Sequence, residues 1–212
     1  MRIKYYGHAC FLLDGSKKVL IDPFISGNPL APELTETPDL ILVTHGHEDH
    51  VGDAAKIAEA SGAKIVAIYE LANMLPNAIG MNIGGSLSFG DVKIKMVNAL
   101  HSSSYRNQYA GHAAGFIVEM DGLRVYHAGD TAFFEEMKNY ACDVALLPIG
   151  DVFTMGIEDA IRAARLIKPH AVIPMHYDTF PIIKQDPTKL KVLEEEGIKV
   201  VILKPGEEFE AT

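Results

Sequence analysis

The 212-residue chain holds only two cysteines, Cys10 and Cys142, both in apolar sequence surroundings. So few thiols exclude a disulfide framework and read as a reduced, cytoplasmic protein. No apolar run approaches the roughly 18 residues that a membrane span requires, so no membrane partner is expected. The opening MRIKYYGHACFLLD has neither a sustained apolar stretch nor a cleavage site, which predicts no secretory signal. Basic residues are in deficit, 19 Lys+Arg against 28 Asp+Glu, for a formal charge of −9. Such a surface repels phosphate backbones and argues against an extended nucleic acid as partner. Low-complexity tracts, linkers and repeats of roughly 20–50 residues are also missing. The pair Gly84-Gly85 is followed by no Gly-Lys-Ser/Thr, so it is no phosphate loop.

What is present is a 48% apolar composition, enough for a buried core, and nine histidines in an acidic chain. Imidazole and carboxylate together suit a divalent metal if they cluster. The length fits one domain spanning residues 1–212. Hairpins are expected around Asp14-Gly15, Gly90-Asp91 and Asp121-Gly122. Short buried strands are expected at Leu40–Val43 and Ala63–Ile68, and helices at Asp53–Ala60 and Glu70–Leu75. From residue 132 the pattern alternates: helix at Phe133–Tyr140, strand at Val144–Leu147, helix at Ile157–Ile167, strand at Ala171–Met175. A helix at Pro187–Glu196 and a strand at Ile198–Leu203 close the chain. This pattern predicts α+β or α/β layers, two mixed sheets covered outside by helices, with strand order open.

The densest chemistry is Thr44-His45-Gly46-His47-Glu48-Asp49-His50, where a short strand delivers three His and one Asp into a tight turn. Imidazole nitrogen and carboxylate oxygen bind zinc-like ions at about 2.0–2.2 Å. His45 and His47 have the spacing to meet one ion, and Asp49 and His50 a second. Three further candidates stand where apolar strands meet their loops: His101, Asp130 and His176. Each alone reads more readily as a structural histidine or, for Asp130 in Gly-Asp-Thr, a helix cap. Their joint order carries the argument.

Taken in that order, His-x-His-x-Asp-His, a later lone His, Gly-Asp-Thr and a final His, the chain resembles the metallo-β-lactamase superfamily over essentially its full length. Gly7-His8-Ala9, Ile21-Asp22-Pro23, Gly150 and Thr154-Met155-Gly156 are similar to its UPF0173-like metal-dependent hydrolase branch, related to the L-ascorbate-6-phosphate lactonases. The resemblance implies an αββα sandwich of two mixed β-sheets with the site at one edge. It implies that His45, His47 and His101 hold one metal, that Asp49, His50 and His176 hold a second, and that Asp130 bridges them. Asp49, Asp130 and His176 would then be the catalytic groups. Two divalent ions are implied, zinc first, with manganese, nickel or iron as alternatives. Classical dinuclear β-lactamases carry Cys where Asp130 stands, so antibiotic hydrolysis is not expected.

A pair of such ions lowers the pKa of a bridging water, creating a hydroxide nucleophile, and polarises a carbonyl or phosphoryl oxygen. The expected activity is hydrolysis of a small anionic ester, lactone or phosphodiester. The competing readings are an iron-dependent oxidoreductase or persulfide-type oxygenase of the same superfamily, and a non-catalytic metal-stabilised binding module. Around the ligands, Asp22 is a candidate to fix a ligating histidine's tautomer, and His8 to line the site. In the polar stretch between His101 and His112, Arg106 and His112, with Tyr105 and Tyr109, are candidates to clamp an anion, against a plain solvated loop. His127 and His170 read as structural. A homo-oligomer is compatible with the sequence.

Overall fold

The computed structural model describes residues 1–212. Two seven-stranded mixed sheets form the molecule. The first contains β1 (Arg2–Gly7), β2 (Cys10–Asp14), β3 (Lys18–Ile21), β4 (Leu40–Leu42), β5 (Lys64–Ile68) and β6 (Ala78–Met81) in that spatial order. The second runs β7 (Ser86–Phe89), β8 (Val92–Asn98), β11 (Ala114–Met120), β12 (Leu123–His127), β13 (Val144–Pro148), β14 (Ala171–Met175) and β15 (Lys199–Val200). A last strand, β16 (Glu208–Glu210), returns to the first sheet beside β1. Between the sheets in sequence lies a small separate hairpin of β9 (Ser104–Tyr105) and β10 (Gln108–Tyr109).

The two sheets share one succession of pairings: three antiparallel, then three parallel. Within the first sheet β1, β3, β4 and β5 therefore run the same way, as β8, β12, β13 and β14 do within the second. Parallel strands feed loops at their carboxyl ends, where open α/β sheets usually bind ligands. His8, Asp22 and Thr44–His50 follow β1, β3 and β4, and His101, Asp130 and His176 follow β8, β12 and β14.

The central strands are apolar on both faces, β13 and β14 being buried at every position. One cluster of 66 buried apolar residues draws on both sheets. After the single turn α1 (Glu48–Val51), α2 (Ala54–Ser61) packs outside on β5, and α3 (Tyr69–Ala72) on β5 and β6. On the other side α4 (Ile157–Ile167) meets β13 and two 3₁₀ segments, Glu135–Asn139 and Pro187–Glu196. Its Ile157, Ala160, Ile161, Ala164 and Ile167 form the buried stripe that a 3.6-residue period demands. No helix is long and apolar enough to cross a membrane. Cys10 is buried, Cys142 half-buried, and neither is bridged.

Several expected elements differ. Pro187–Glu196 is a 3₁₀ segment because only Leu190 and Leu193, three apart, are buried, a spacing that suits three residues per turn. Phe133–Tyr140 shrinks to the 3₁₀ segment Glu135–Asn139, and Glu70–Leu75 to the single turn of α3. The Ile198–Leu203 strand pairs regularly only at Lys199 and Val200. Beyond it Gly206 (φ +93°) turns the chain, donating to the Tyr5 carbonyl, so that β16 can cross to the first sheet. Strands β6 and β16 lie at sheet edges and lack an apolar run to announce them.

Candidate metal centre

The His-rich turn leaves β4 through Thr44, whose N–H and hydroxyl both donate to the Asp22 carboxylate, at 2.8 and 2.7 Å. A hydroxyl has one proton, so with that proton on Asp22 it accepts from His45 Nδ1–H at 3.0 Å. His45 Nε2 is thereby left without a proton and accepts from His47 Nδ1–H at 2.9 Å. Asp22 also accepts from His50 Nδ1–H at 2.8 Å, which turns His50 Nε2 toward the site. A single fully buried carboxylate thus orients two imidazoles with Nε2 toward the site, as metal ligation needs. Asp22 meets this task in the left-handed region, at φ +47°.

Gly46 lets the turn lie against the hairpin beneath it: a Cβ there would stand 2.6 Å from Ala110 and 2.9 Å from the Ser104 carbonyl. Its N–H donates to Ser103 Oγ at 3.1 Å. The polar stretch after His101 is therefore a support for the histidine turn. Arg106 and Asn107, both left-handed, form its two-residue bend. The Arg106 guanidinium lies over the Tyr105 ring, and Arg106 and His112 are exposed and line no part of the cavity described below.

Asp130 sits at the centre. Its Oδ2 lies 3.1 Å from His176 Nε2, 3.3 Å from His50 Nε2, 3.6 Å from His101 Nε2 and 4.0 Å from His45 Nε2. Gly129 (φ +63°) presses against the Ala114 carbonyl, and no larger residue fits there. Thr131 accepts from Leu100 N–H through its hydroxyl and from Met155 N–H through its carbonyl, tying the end of β8 and the 151–155 turn to Asp130. His176, at φ +56°, donates its N–H to the His8 carbonyl at 2.7 Å. His8 is likewise left-handed (φ +57°) and buried. Burial lowers its pKa to about 4, so the ring is neutral. Its Nε2–H then donates to Asp49 at 2.9 Å while Nδ1 accepts from the Thr179 hydroxyl at 2.9 Å. Three non-glycine residues of one site in this sparsely populated region mark backbone held in place by its surroundings.

The candidate ligand atoms fall into overlapping sets: His45, His47 and His101; Asp49, His50 and His176 with His8; and His45, His50 and Asp130. Within each set they lie within 4.8 Å of one another. His50 Nε2, both nitrogens of His176 and Asp130 Oδ1 are buried with no hydrogen-bond partner. Buried polar atoms are rarely left so, and His50 Nε2 and His176 Nε2, which converge on Asp130 Oδ2 at 3.3 and 3.1 Å, fit a bound cation. Burial, reinforced by neighbouring imidazoles, holds His45, His47 and His101 below the ordinary histidine pKa, in the neutral form a metal takes. Burial also acts against charge on His50 and Asp130, but is outweighed. Asp130 and Asp22 raise His50, and His50 and His176 keep Asp130 ionised. Asp49 is held below the usual carboxylate range, its own burial overcome by His8 and His50.

The site opens into a cavity of about 290 Å³ lined by His47, Asp49, His101, Ser102, Asp130, Phe153 and His176. Thr44, Thr179 and Phe153 also shape the site. Thr44 offered one signal, a hydroxyl directly before a candidate ligand; Thr179 and Phe153 enter from distant loops with none. His127 donates to the Ala9 carbonyl and accepts from Gly129 N–H, a structural role, and His170 is exposed beside Asp143.

The beta-lactamase superfamily domain matches residues 2–176. A UPF0173 metal-dependent hydrolase of Pyrococcus abyssi is 50% identical, with 99% of each chain covered. The chain belongs to this family. A UPF0173 metal-dependent hydrolase of Archaeoglobus fulgidus is 49% identical, again over 99% of both chains. Among solved structures, Igni18, a metallo hydrolase of Ignicoccus hospitalis, superposes with a TM-score of 0.89 at 40% identity, covering 100% of this chain and 99% of that one. The family's sandwich is the fold described above, so the layered architecture expected from sequence holds.

Proposed function

We propose that this family member is a metal-dependent hydrolase of small esters, lactones or phosphodiesters, working with two divalent ions, zinc first. His45, His47 and His101 would hold one ion, Asp49, His50 and His176 the other, and Asp130 both. The observation that carries this reading is the set of buried, unpartnered nitrogens converging on one Asp130 oxygen. Bound ions of this kind ionise water near neutral pH and polarise the scissile carbonyl or phosphoryl group.

The chain's own residues do the rest. Asp22 and Thr44 keep His45 and His50 oriented. His8 steadies Asp49, the most exposed of the acidic site groups, with its side chain 32% accessible. That exposure and its place in the cavity lining make Asp49 the candidate to hydrogen-bond and orient attacking water. In ester hydrolysis the acyl C–O bond breaks, water's oxygen stays on the acid, and its proton passes to the alcohol. Ser102 is the one uncharged hydroxyl lining the cavity and the candidate to hydrogen-bond the leaving oxygen.

Elemental analysis of protein grown with added metal is expected to show close to two transition-metal equivalents per chain. Asp130→Ala is expected to bring this below one and to abolish turnover of lactones and phosphodiesters, with the circular-dichroism spectrum unchanged. A value near zero in the parent sinks the reading. Unchanged turnover in the variant removes Asp130 from its bridging role.

A further inference from the structure

Ten large apolar side chains are exposed in the whole molecule; Phe153 lines the cavity of the candidate metal centre, Val152 directly precedes it, and Leu100 and Phe180 lie beside residues of the site. Leu100 directly precedes His101 and is bonded through its backbone to Thr131 and Ala132. Phe180 meets His8 edge-on at 5.7 Å, and His8 lies 4.0 Å from the ring of His176, which lines the cavity. Val152 and Phe153 stand on a closed turn. Asp151 N–H donates to the Met155 carbonyl, Thr154 N–H to the Asp151 carbonyl, and Met155 N–H to the Thr131 carbonyl. The turn buries Thr154 and Met155 yet holds Phe153 out, 54% exposed, over the metal-ligand side chains. Leaving an aromatic ring in water on a fixed turn forgoes favourable burial, and clustered apolar exposure marks a binding surface.

The second observation concerns charge. No lysine or arginine lines the cavity. The three carboxylates beneath it, Asp22, Asp49 and Asp130, offset most of the charge that two divalent ions would bring. Nothing at the mouth resembles the bidentate guanidinium or lysine cluster that selects phosphate or carboxylate groups.

We propose that the cavity mouth is an apolar subsite, centred on Phe153, that selects neutral esters or lactones bearing an alkyl or aryl group over anionic phosphodiesters. This rests on the hydrolase reading above and narrows its substrate class. The reacting carbonyl sits over Asp130, the apolar substituent against Phe153 and Val152.

The test uses metal-loaded protein and a ligand series that needs no turnover, the straight-chain hydroxamic acids from acetohydroxamic to octanohydroxamic, titrated calorimetrically. Affinity is expected to tighten about two- to fourfold for each methylene that the mouth covers. Phe153→Ala is expected to flatten that slope at least tenfold across the series, at parental metal content, and Val152→Ser to flatten it less. Neutral p-nitrophenyl carboxylates, acetate to octanoate, should show the same slope in kcat/KM and exceed bis(p-nitrophenyl) phosphate. A flat series in the parent, a slope indifferent to Phe153→Ala, or a preference for the phosphodiester overturns the proposal. So does a dimer on size exclusion that Phe153→Ala dissociates while the series stays flat; the patch is then an interface between copies. Graded hydroxamate binding with no turnover of any ester leaves the subsite standing and fails the hydrolase reading. Absence of bound metal removes both.

Discussion

Asp22 shows how much of this site is decided one bond away from the ligands. It touches no part of the cavity, yet its carboxylate fixes His50 directly and His45 through the Thr44 hydroxyl. Asp22→Asn replaces an acceptor with a group that also donates, so His50 loses its fixed tautomer. Metal affinity is expected to fall about 10–100-fold, read by competition with a fluorescent chelator, with secondary structure intact. Asp22 was legible as a candidate because it ends an apolar strand before Pro23; its link through Thr44 was not, because only the pairing of β3 with β4 brings the two together. Glu36 is placed by Lys4, Tyr6 and Thr35. Partial burial acts against its charge, but the Lys4 ion pair and the two hydroxyls outweigh it and lower the pKa from 4.5 to about 2. A carboxylate depressed in the folded state contributes stability above its unfolded pKa and loses it as pH falls through the folded one. Glu36→Gln should therefore melt lower than the parent at pH 7. In metal-free protein that gap should close between about pH 4.5 and 2 in circular-dichroism melts.

At the scale of elements, the stretch after His101 reads as a polar loop in sequence and becomes a buttress in the fold. Its short strands β9 and β10 hold Ser103, Ser104 and Ala110 under Gly46. Gly46→Ala forces a methyl group to within 2.6 Å of Ala110. A destabilisation of about 1–3 kcal/mol is expected, at roughly 2–4 °C of melting temperature per kcal/mol. Because the turn carries His45 and His47, metal content should fall with it, measured by elemental analysis. Elements with strong periodicity, such as α4 and the β11–β12 hairpin, stand where the sequence puts them. Those lacking it, such as the 3₁₀ segment Pro187–Glu196 and the edge strands β6 and β16, depend on packing for their form.

Across the whole molecule, the candidate ligands divide between the sheets. His45, His47, Asp49 and His50 leave the first, and His101, Asp130 and His176 the second. Bound ions would therefore clasp the two layers at the edge where the strands' carboxyl ends meet. Ligands that bind the folded state alone stabilise it by mass action, by about 2.7 kcal/mol at a hundred times the dissociation constant. Chelation with EDTA is expected to lower the melting temperature by about 5–10 °C by calorimetry, and zinc to restore it. Asp130→Ala protein should show a smaller drop, since it has less metal to lose.

The amino-acid sequence by itself determined which side chains are candidate ligands, because seven residues of ligating type stand in order at the ends of apolar strands, and that order survives any uncertainty in packing. It also determined the layered class of the fold, through the spacing of its short apolar runs. What only the tertiary structure decided is where those ends meet and what surrounds them. Asp130 comes within reach of four imidazoles drawn from both sheets. Arg106 is turned onto Tyr105 instead of the cavity, and Phe153 is held over it. Such placements depend on long-range strand pairing and loop closure, whose geometry no local run of residues encodes.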